Sequence, residues 1–409
     1  MSQQHSRLRR SVARLGIVVL ILVLGAGGLL VTQYFRPLPA LTAQPELAAQ
    51  RALGTAPRLP WPRQGSAALW MDGYGLLAAQ GDPAPRPIAS TTKMMTALLV
   101  LEDHPLAPGQ PGPTVTITAQ DVSDYQQDAG QDQSVVPVTA GEQLSELQLL
   151  QALLLPSANN IAEVLAQWDA GSREAFVAKM NARASALGMA HTHYADASGF
   201  SPQTVSTPAD LLTLGVTAMG DPVFRQTVAL TEATLPVAGV VYNVNADLGK
   251  EGNIGIKTGS TDEAGGCFVS ATIEPVGGAP RVVYAAVLGQ ERLDEALSAT
   301  RALSRAAAAS FRQTQILGRT DIVGTLTTAW GTAVALVPRE EVAMLAWPGM
   351  TLKARLQLDP VHAPLPAGSK VGTLTLELGE QTQQVEVVTT APLDPPSWQW
   401  RATRFLRGQ

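Results

Sequence analysis

The stretch "LGIVVLILVLGAGGLLV", residues 15–31, carries no charge, and nothing else in the chain limits its folding so sharply. In a bilayer only a helix satisfies every backbone group of such a segment. The apolar run continues through Thr32 and Gln33 to Tyr34 and Phe35, close to the roughly 20 residues needed to cross the hydrocarbon layer. Arg7, Arg9, Arg10 and Arg14 precede it. This arginine excess predicts a cytoplasmic basic segment over residues 1–14 and puts the aromatic pair at the far interface. A cleaved signal peptide competes with this reading, since its apolar region needs only about 7–15 residues. Gly25, Ala26 and Gly27 offer small residues for cleavage, but no clear Ala-x-Ala follows, which favours an uncleaved anchor over residues 15–35. On either reading everything after residue 36 is exported.

The chain of 409 residues is long enough for two or three domains, and 45% hydrophobic against 15% charged residues makes it globular, not disordered. A net charge of −5 with no run of like charges leaves no basic patch for nucleic acid. The single cysteine, Cys267, excludes an intrachain disulfide and a cysteine-cluster metal site. It lies in an apolar strand, where a buried small hydrophobe is the default over a reactive thiol. His191 and His193 alternate in "HTHYAD" without a third ligand at short spacing, so no metal and no cofactor is expected.

Residues 36–60 mix proline, alanine and polar residues without period, a linker texture. Two short apolar runs then flank Asp72-Gly73-Tyr74-Gly75, a hairpin signal. A helix opens at Ser90, "TVTITAQDV" reads as a strand, and the leucines of "EQLSELQLLQALLL" keep helical spacing up to Pro156. Helices are predicted at 159–168 and 171–187. In another, Thr207 caps, Pro208 takes the first helical position and Asp210 closes the capping box. "NIGIKTG", "GGCFVSATIE" and "RVVYAAVLG" read as strands, the last two antiparallel across Gly277-Gly278. An alanine-rich helix of about 25 residues is expected from Arg292 toward Leu317. This order predicts an α/β (α+β) domain over residues 61–316, an antiparallel sheet flanked by helices. Over 317–395, "GTAVALVP", "MTLKARLQL", "KVGTLTLELG" and "QQVEVVTT" are short alternating runs, the pattern of a small all-β domain. The tail, 396–409, interleaves tryptophan with arginine, as an interfacial membrane contact would, or a packed or disordered terminus.

The chemistry starts in "PIASTTKMMTALLVLE", where Ser90 stands three residues before Lys93. A serine hydroxyl is a poor nucleophile until a base takes its proton, and on a helix residues three apart share a face. An ordinary lysine is a bad base, with only about one in 2500 neutral at pH 7. Burial or a second ammonium lowers its pKa, so the pair asks for another cation nearby. Alone, Ser-x-x-Lys is more often a helix cap beside a snorkelling lysine. Two more stretches alter that balance: "LLLPSANNIAEVLA" puts Ser157-Ala158-Asn159 in a break between helices, and "GIKTGSTDEAGG" puts Lys257-Thr258-Gly259 on a strand. Ser-x-x-Lys, Ser-x-Asn and Lys-Thr-Gly in this order are the signature of penicillin-binding proteins and serine β-lactamases. Lys257 is then the second cation.

Residues 64 to 316 resemble the low-molecular-mass D-alanyl-D-alanine carboxypeptidases in "IASTTKMMTALLVLE", "PSANNIAEVLA", "MNARASALGM", "HTHYADASGF" and "GIKTGSTDEAGGCFVSA". The β domain, with "HAPLPAGSKVGTLTLELGE", is similar to the C-terminal domain of one branch of that family. That branch usually has a cleaved signal and a C-terminal amphipathic helix, whereas here the anchor is expected at the N-terminus and the tail is short. Asn160 stands where an aspartate is frequent in the family, a change expected to matter little to chemistry. The resemblance implies a β-lactamase/transpeptidase-like fold and a bacterial protein held in the cell membrane, with its catalytic domain on the outer side. Its substrate would be a peptidoglycan stem peptide ending in D-Ala-D-Ala, and β-lactams would be covalent inhibitors. Carried over, it makes Ser90 the nucleophile, Lys93 its base and Ser157 a proton relay to the leaving D-alanine. Asn159 would position substrate amide and Lys93, and Lys257 and Thr258 would hold the terminal carboxylate. The amides of Ser90 and Ser260 would form the oxyanion hole, with Gly259 bare so that substrate can lie along the strand. Tyr242-Asn243 either lines the site or serves a turn. A binding protein with little turnover, a D,D-endopeptidase and a β-lactamase are the alternatives. No Glu-x-x-Leu-Asn-type loop lies between Asn159 and Lys257 to support the last.

Overall fold

A computed structural model describes residues 2–39 and 41–407. Met1, Ala40, Gly408 and Gln409, which include the end of the expected tail, lie outside the described residues, as do the side chains of residues 2–11, among them Arg7, Arg9 and Arg10. The chain divides into two compact units, one of residues 53–312 with 345–350, the other of 1–52, 313–344 and 351–409.

The first unit is built on a five-stranded sheet in the order Asn253–Thr261, Gly265–Val276, Ala279–Gln290, Ser66–Met71, Gly75–Gly81, every neighbour antiparallel. The Asp72–Gly75 hairpin and the turn at Gly277-Gly278 join neighbours as the sequence predicts. Strand side chains alternate between two cores, as a pleated sheet buried on both faces requires. Val283, Ala285 and Val287 pack with Leu297 and Leu303 of the helix Leu293–Ser310. Tyr284, Ala286 and Leu288 face the helical half, with Met94, Leu153 and Leu212.

Several boundaries differ from the sequence expectation. The strand read from "TVTITAQDV" is only Thr114–Thr116, because Thr118 and Asp121 form a capping box that starts a helix at Ala119. "EQLSELQLLQALLL" opens as a strand, Gln143–Ser145, and Ser145 then caps the helix Glu146–Leu154. The helix expected to reach Leu317 stops at Ser310, and Arg312–Leu317 is a strand. Thr207 does cap its helix, accepting from the Asp210 amide, but Asp210 does not close the box. Its carboxylate instead accepts from the His191 amide and Thr192 hydroxyl, each at 2.9 Å.

The second unit carries a seven-stranded antiparallel sheet in the order Thr42–Pro45, Gly324–Thr327, Ala333–Pro338, Gln381–Thr389, Lys370–Leu378, Thr351–Leu358, Gln50–Ala52. Its first and last strands come from residues 36–60, expected to be linker. Ladder pairing joins backbone groups, so an aperiodic sequence can occupy an edge. Leu374, Leu376 and Leu378 alternate into its core. The helix Ser2–Phe35 contains one stretch, Val12–Phe35, long and apolar enough to cross a membrane, and none of that stretch is buried in a protein core.

Candidate active site

Lys93 opens the helix Lys93–Asp103, whose next eight residues are all buried. A helix apolar on every side belongs inside the protein, and it takes Lys93 with it. Ser90 sits one turn earlier, on the 3₁₀ turn Ala89–Thr92, not in the first turn of the α-helix itself. The tighter turn still brings the pair together: Lys93 Nζ is 2.8 Å from Ser90 Oγ.

Two further oxygens meet the same amine, Asn159 Oδ1 at 2.6 Å and the Ser198 carbonyl at 2.9 Å. An ammonium has three hydrogens for these three acceptors. A neutral amine has two, and carbonyl oxygens can only accept. Once Lys93 is neutral its hydrogens belong to Asn159 and Ser198, and its lone pair points to the Ser90 hydroxyl. Burial lowers the Lys93 pKa to about 7, against the pull of Asp196, Glu163 and Asp128. Desolvation, not a second cation, is therefore the main cause. Lys257 is also buried, and its pKa is pushed well below the usual lysine value by burial and then by Lys93.

Ser157 lies in the break between the helices Glu146–Leu154 and Asn159–Ala170, and Asn159 opens the second of them. Ser157 takes a left-handed backbone, φ 68°, which costs a side-chain-bearing residue about 1–3 kcal/mol and is typical of functional sites. It accepts from Lys257 Nζ at 2.9 Å, and that amine also donates to the Thr258 carbonyl at 3.1 Å. Lys257, Thr258, Gly259 and Ser260 belong to the sheet's edge strand, Ser260 being exposed. The structure adds a reason for glycine at this position. A Cβ at Gly259 would sit 2.9 Å from the Ser90 amide nitrogen and 3.1 Å from the Ile88 carbonyl. The bare position lets the strand approach the Ser90 turn. All the residues picked from the motifs thus gather at one place.

Sequence reasoning missed two participants. Gln133 accepts from Asn159 Nδ2 at 2.5 Å and orients that amide. The segment Asp196–Ser201 holds the Ser198 carbonyl on Lys93: the Asp196 carboxylate accepts from Ser198 Oγ and the Phe200 amide, both at 2.8 Å. "HTHYADASGF" contains that Asp-x-Ser turn signal. Asn160 clamps Val136 through both backbone groups, at 3.2 and 3.0 Å. An aspartate could accept there but not donate, so the residue matters to structure. Asn243 serves a turn, its amide donating to the Val228 and Leu230 carbonyls. Cys267 is buried, and burial pushes its thiol up to about 11. A cavity of about 320 Å³ opens beside Lys93, lined by Gln133, Asn159, Glu163, Arg173, Asp196 and Ser198 among others.

Residues 66–291, more than half of the chain, match the D-alanyl-D-alanine carboxypeptidase family. The chain is 34% identical over 243 residues to a D-alanyl-D-alanine carboxypeptidase of Mycobacterium tuberculosis, covering 58% of this chain and 78% of that protein. It is 37% identical over 194 residues to a D-alanyl-D-alanine endopeptidase of Pseudomonas aeruginosa, covering 46% of this chain and 59% of that one. In fold it is similar to the crystal structure of a D-alanyl-D-alanine carboxypeptidase from Francisella tularensis, with a TM-score of 0.60 at 20% identity over 85% of this chain and 98% of the other.

Proposed function

The chain belongs to the D-alanyl-D-alanine carboxypeptidase family of serine peptidases, and from that premise we propose that it removes the terminal D-alanine from peptidoglycan stem pentapeptides through a Ser90 acyl-enzyme. The observation that carries the reading is the Lys93 amine, 2.8 Å from the Ser90 hydroxyl and held by two carbonyl acceptors. Neutral Lys93 takes the Ser90 proton as Oγ bonds to the carbonyl carbon of the penultimate D-alanine. The Ser90 and Ser260 amides receive the negative oxygen. The carbon–nitrogen bond then breaks, and Ser157 relays the proton held by Lys93 to the departing amine, which leaves Lys93 neutral again. Water, its proton taken by Lys93, cleaves the ester and restores Ser90. Lys257 and Thr258 hold the substrate's terminal carboxylate, whose charge stabilises the protonated form of Lys257 that burial disfavours. Penicillin, an acyl donor of similar shape, acylates Ser90. The N-terminal helix anchors the protein in the bacterial cell membrane, with its basic end cytoplasmic and Ser90 outside. The Pseudomonas relative's name supports a second reading, endopeptidase action on cross-linked stems.

The test incubates the protein with a pentapeptide ending in D-Ala-D-Ala, its C-terminally amidated form, a tetrapeptide and a cross-linked muropeptide. Free D-alanine from the pentapeptide alone is expected. The amidated form should react roughly 10–150-fold more slowly, since a hydrogen bond to a charged group contributes about 1.5–3 kcal/mol. Cleavage confined to the cross-link would establish the endopeptidase reading instead. Penicillin labelling that persists in folded Ser90→Ala would sink both.

A further inference from the structure

The arginines of the tail take no part in this chemistry. The helix Trp398–Thr403 and the 3₁₀ turn Arg404–Arg407 pack at the end of the N-terminal helix. Arg401 Nη1 donates to the Tyr34 carbonyl at 3.5 Å, and its guanidinium lies 5.7 Å from the centre of the Tyr34 ring. Arg404 Nη1 donates to the Pro37 carbonyl at 3.0 Å. Only 2% of Arg404 is exposed, and its Nε and Nη2 are buried without a hydrogen-bond partner. Arg36, exposed, stands close enough to repel it, as does Arg401. Among the described residues no carboxylate acts on Arg404, whose charged neighbours are Arg36 and Arg401.

A helix C-terminus attracts cations, so the arginines could simply cap it. Its partial charge is only about half an electron, which leaves roughly two and a half positive charges unbalanced. Two carbonyls accept one donor each, and the remaining buried donors of Arg404 go unanswered. Burial, followed by repulsion from Arg36 and Arg401, lowers the Arg404 pKa, the direction expected where negative charge is missing. The surroundings specify the anion. Tyr34 and Phe35 end the apolar span, and Phe35, Trp398 and Leu406 are exposed around the cluster. Such aromatic residues sit at headgroup depth, and guanidinium forks match phosphate oxygens.

We infer that Arg36, Arg401 and Arg404 form a binding site for the phosphodiester headgroup of an anionic lipid at the exit of the N-terminal helix. This rests on the anchoring proposed for that helix. Full-length protein in phosphatidylcholine nanodiscs would be titrated with brominated phosphatidylglycerol or brominated phosphatidylcholine, reading quenching of tryptophan fluorescence, with Trp398 and Trp400 at the cluster. The glycerol lipid should quench with at least about five-fold preference, roughly the contribution of one arginine at an anionic surface. R404Q should lose the preference. So should R36Q/R401Q, which alters side chains outside the core and so guards against misfolding. Millimolar inorganic phosphate should leave the quenching unchanged, and relief by it would reassign the site to free phosphate. Equal quenching by both lipids, or an undiminished preference in R36Q/R401Q, would overturn the site. N-terminal sequencing of the same sample separates the two failures: a start beyond residue 36 removes the anchor itself, whereas an intact N-terminus with equal quenching removes only the lipid site.

Discussion

Lys93 has three oxygen neighbours, and its charge decides what each of them does. With its pKa lowered to about 7, the basic form grows as pH rises through 7 and fades below it. Penicillin acylation should therefore fall about ten-fold per pH unit below that point and level off above it, as stopped-flow labelling across pH 5 to 9 would read. The same shift acts on stability. Between about 7 and the ordinary lysine value of 10.5, the folded protein binds fewer protons at Lys93 than the unfolded chain, so this residue's contribution grows as pH rises. Lys93→Arg keeps a cation but cannot shed its proton, and acylation should drop about 10²–10⁴-fold. A rate near that of the unaltered protein would deny lysine the role of base. The pairing of Ser90 with Lys93 was legible because helical spacing and a polar residue in an apolar run are both written in the sequence. Gln133 was not, since a lone glutamine leaves no pattern, and the Asp196-x-Ser198 signal marks a turn without saying which amine its carbonyl meets.

At the scale of elements, the site depends on how closely the strand Asn253–Thr261 approaches the Ala89–Thr92 turn. Gly259→Ala would force its methyl group against the Ser90 backbone. Displacing a reacting group by about 1 Å can cost 10²-fold, so acylation should fall by about that factor while circular dichroism stays native. Retention of full activity would mean that the turn yields and the close approach is dispensable. Strands and helices with clear period were readable in advance. Their ends were less so: the Thr118 and Ser145 caps cut short runs whose hydrophobic pattern continued. Side-chain capping competes locally with periodicity, and there it prevailed.

For the whole molecule, the division of the chain is not the sequential one expected at residue 316. Residues 345–350 return to the catalytic unit, where Trp347 is buried with Phe311 and Tyr74, and the Tyr74 hydroxyl donates to the Leu345 carbonyl at 2.9 Å. Trp347→Ala should destabilise that unit by about 3–5 kcal/mol, visible as a lower midpoint for loss of penicillin labelling on heating. An unchanged midpoint would mean that the segment adds nothing. Residues 42–45 and 50–52 likewise complete a sheet whose other strands lie some 270 residues or more later. Local order was in the sequence's power: the apolar N-terminal run, the alternation of strands, the three motifs and the chemistry that their residue types allow. Such features depend on side chains a few positions apart, and spacing encodes them. The tertiary structure alone decided that burial lowers the Lys93 pKa, that Gly259 is bare for the Ser90 turn, and that three arginines meet at the end of one helix. Each of these depends on distances between residues far apart in the chain, and only folding sets those distances.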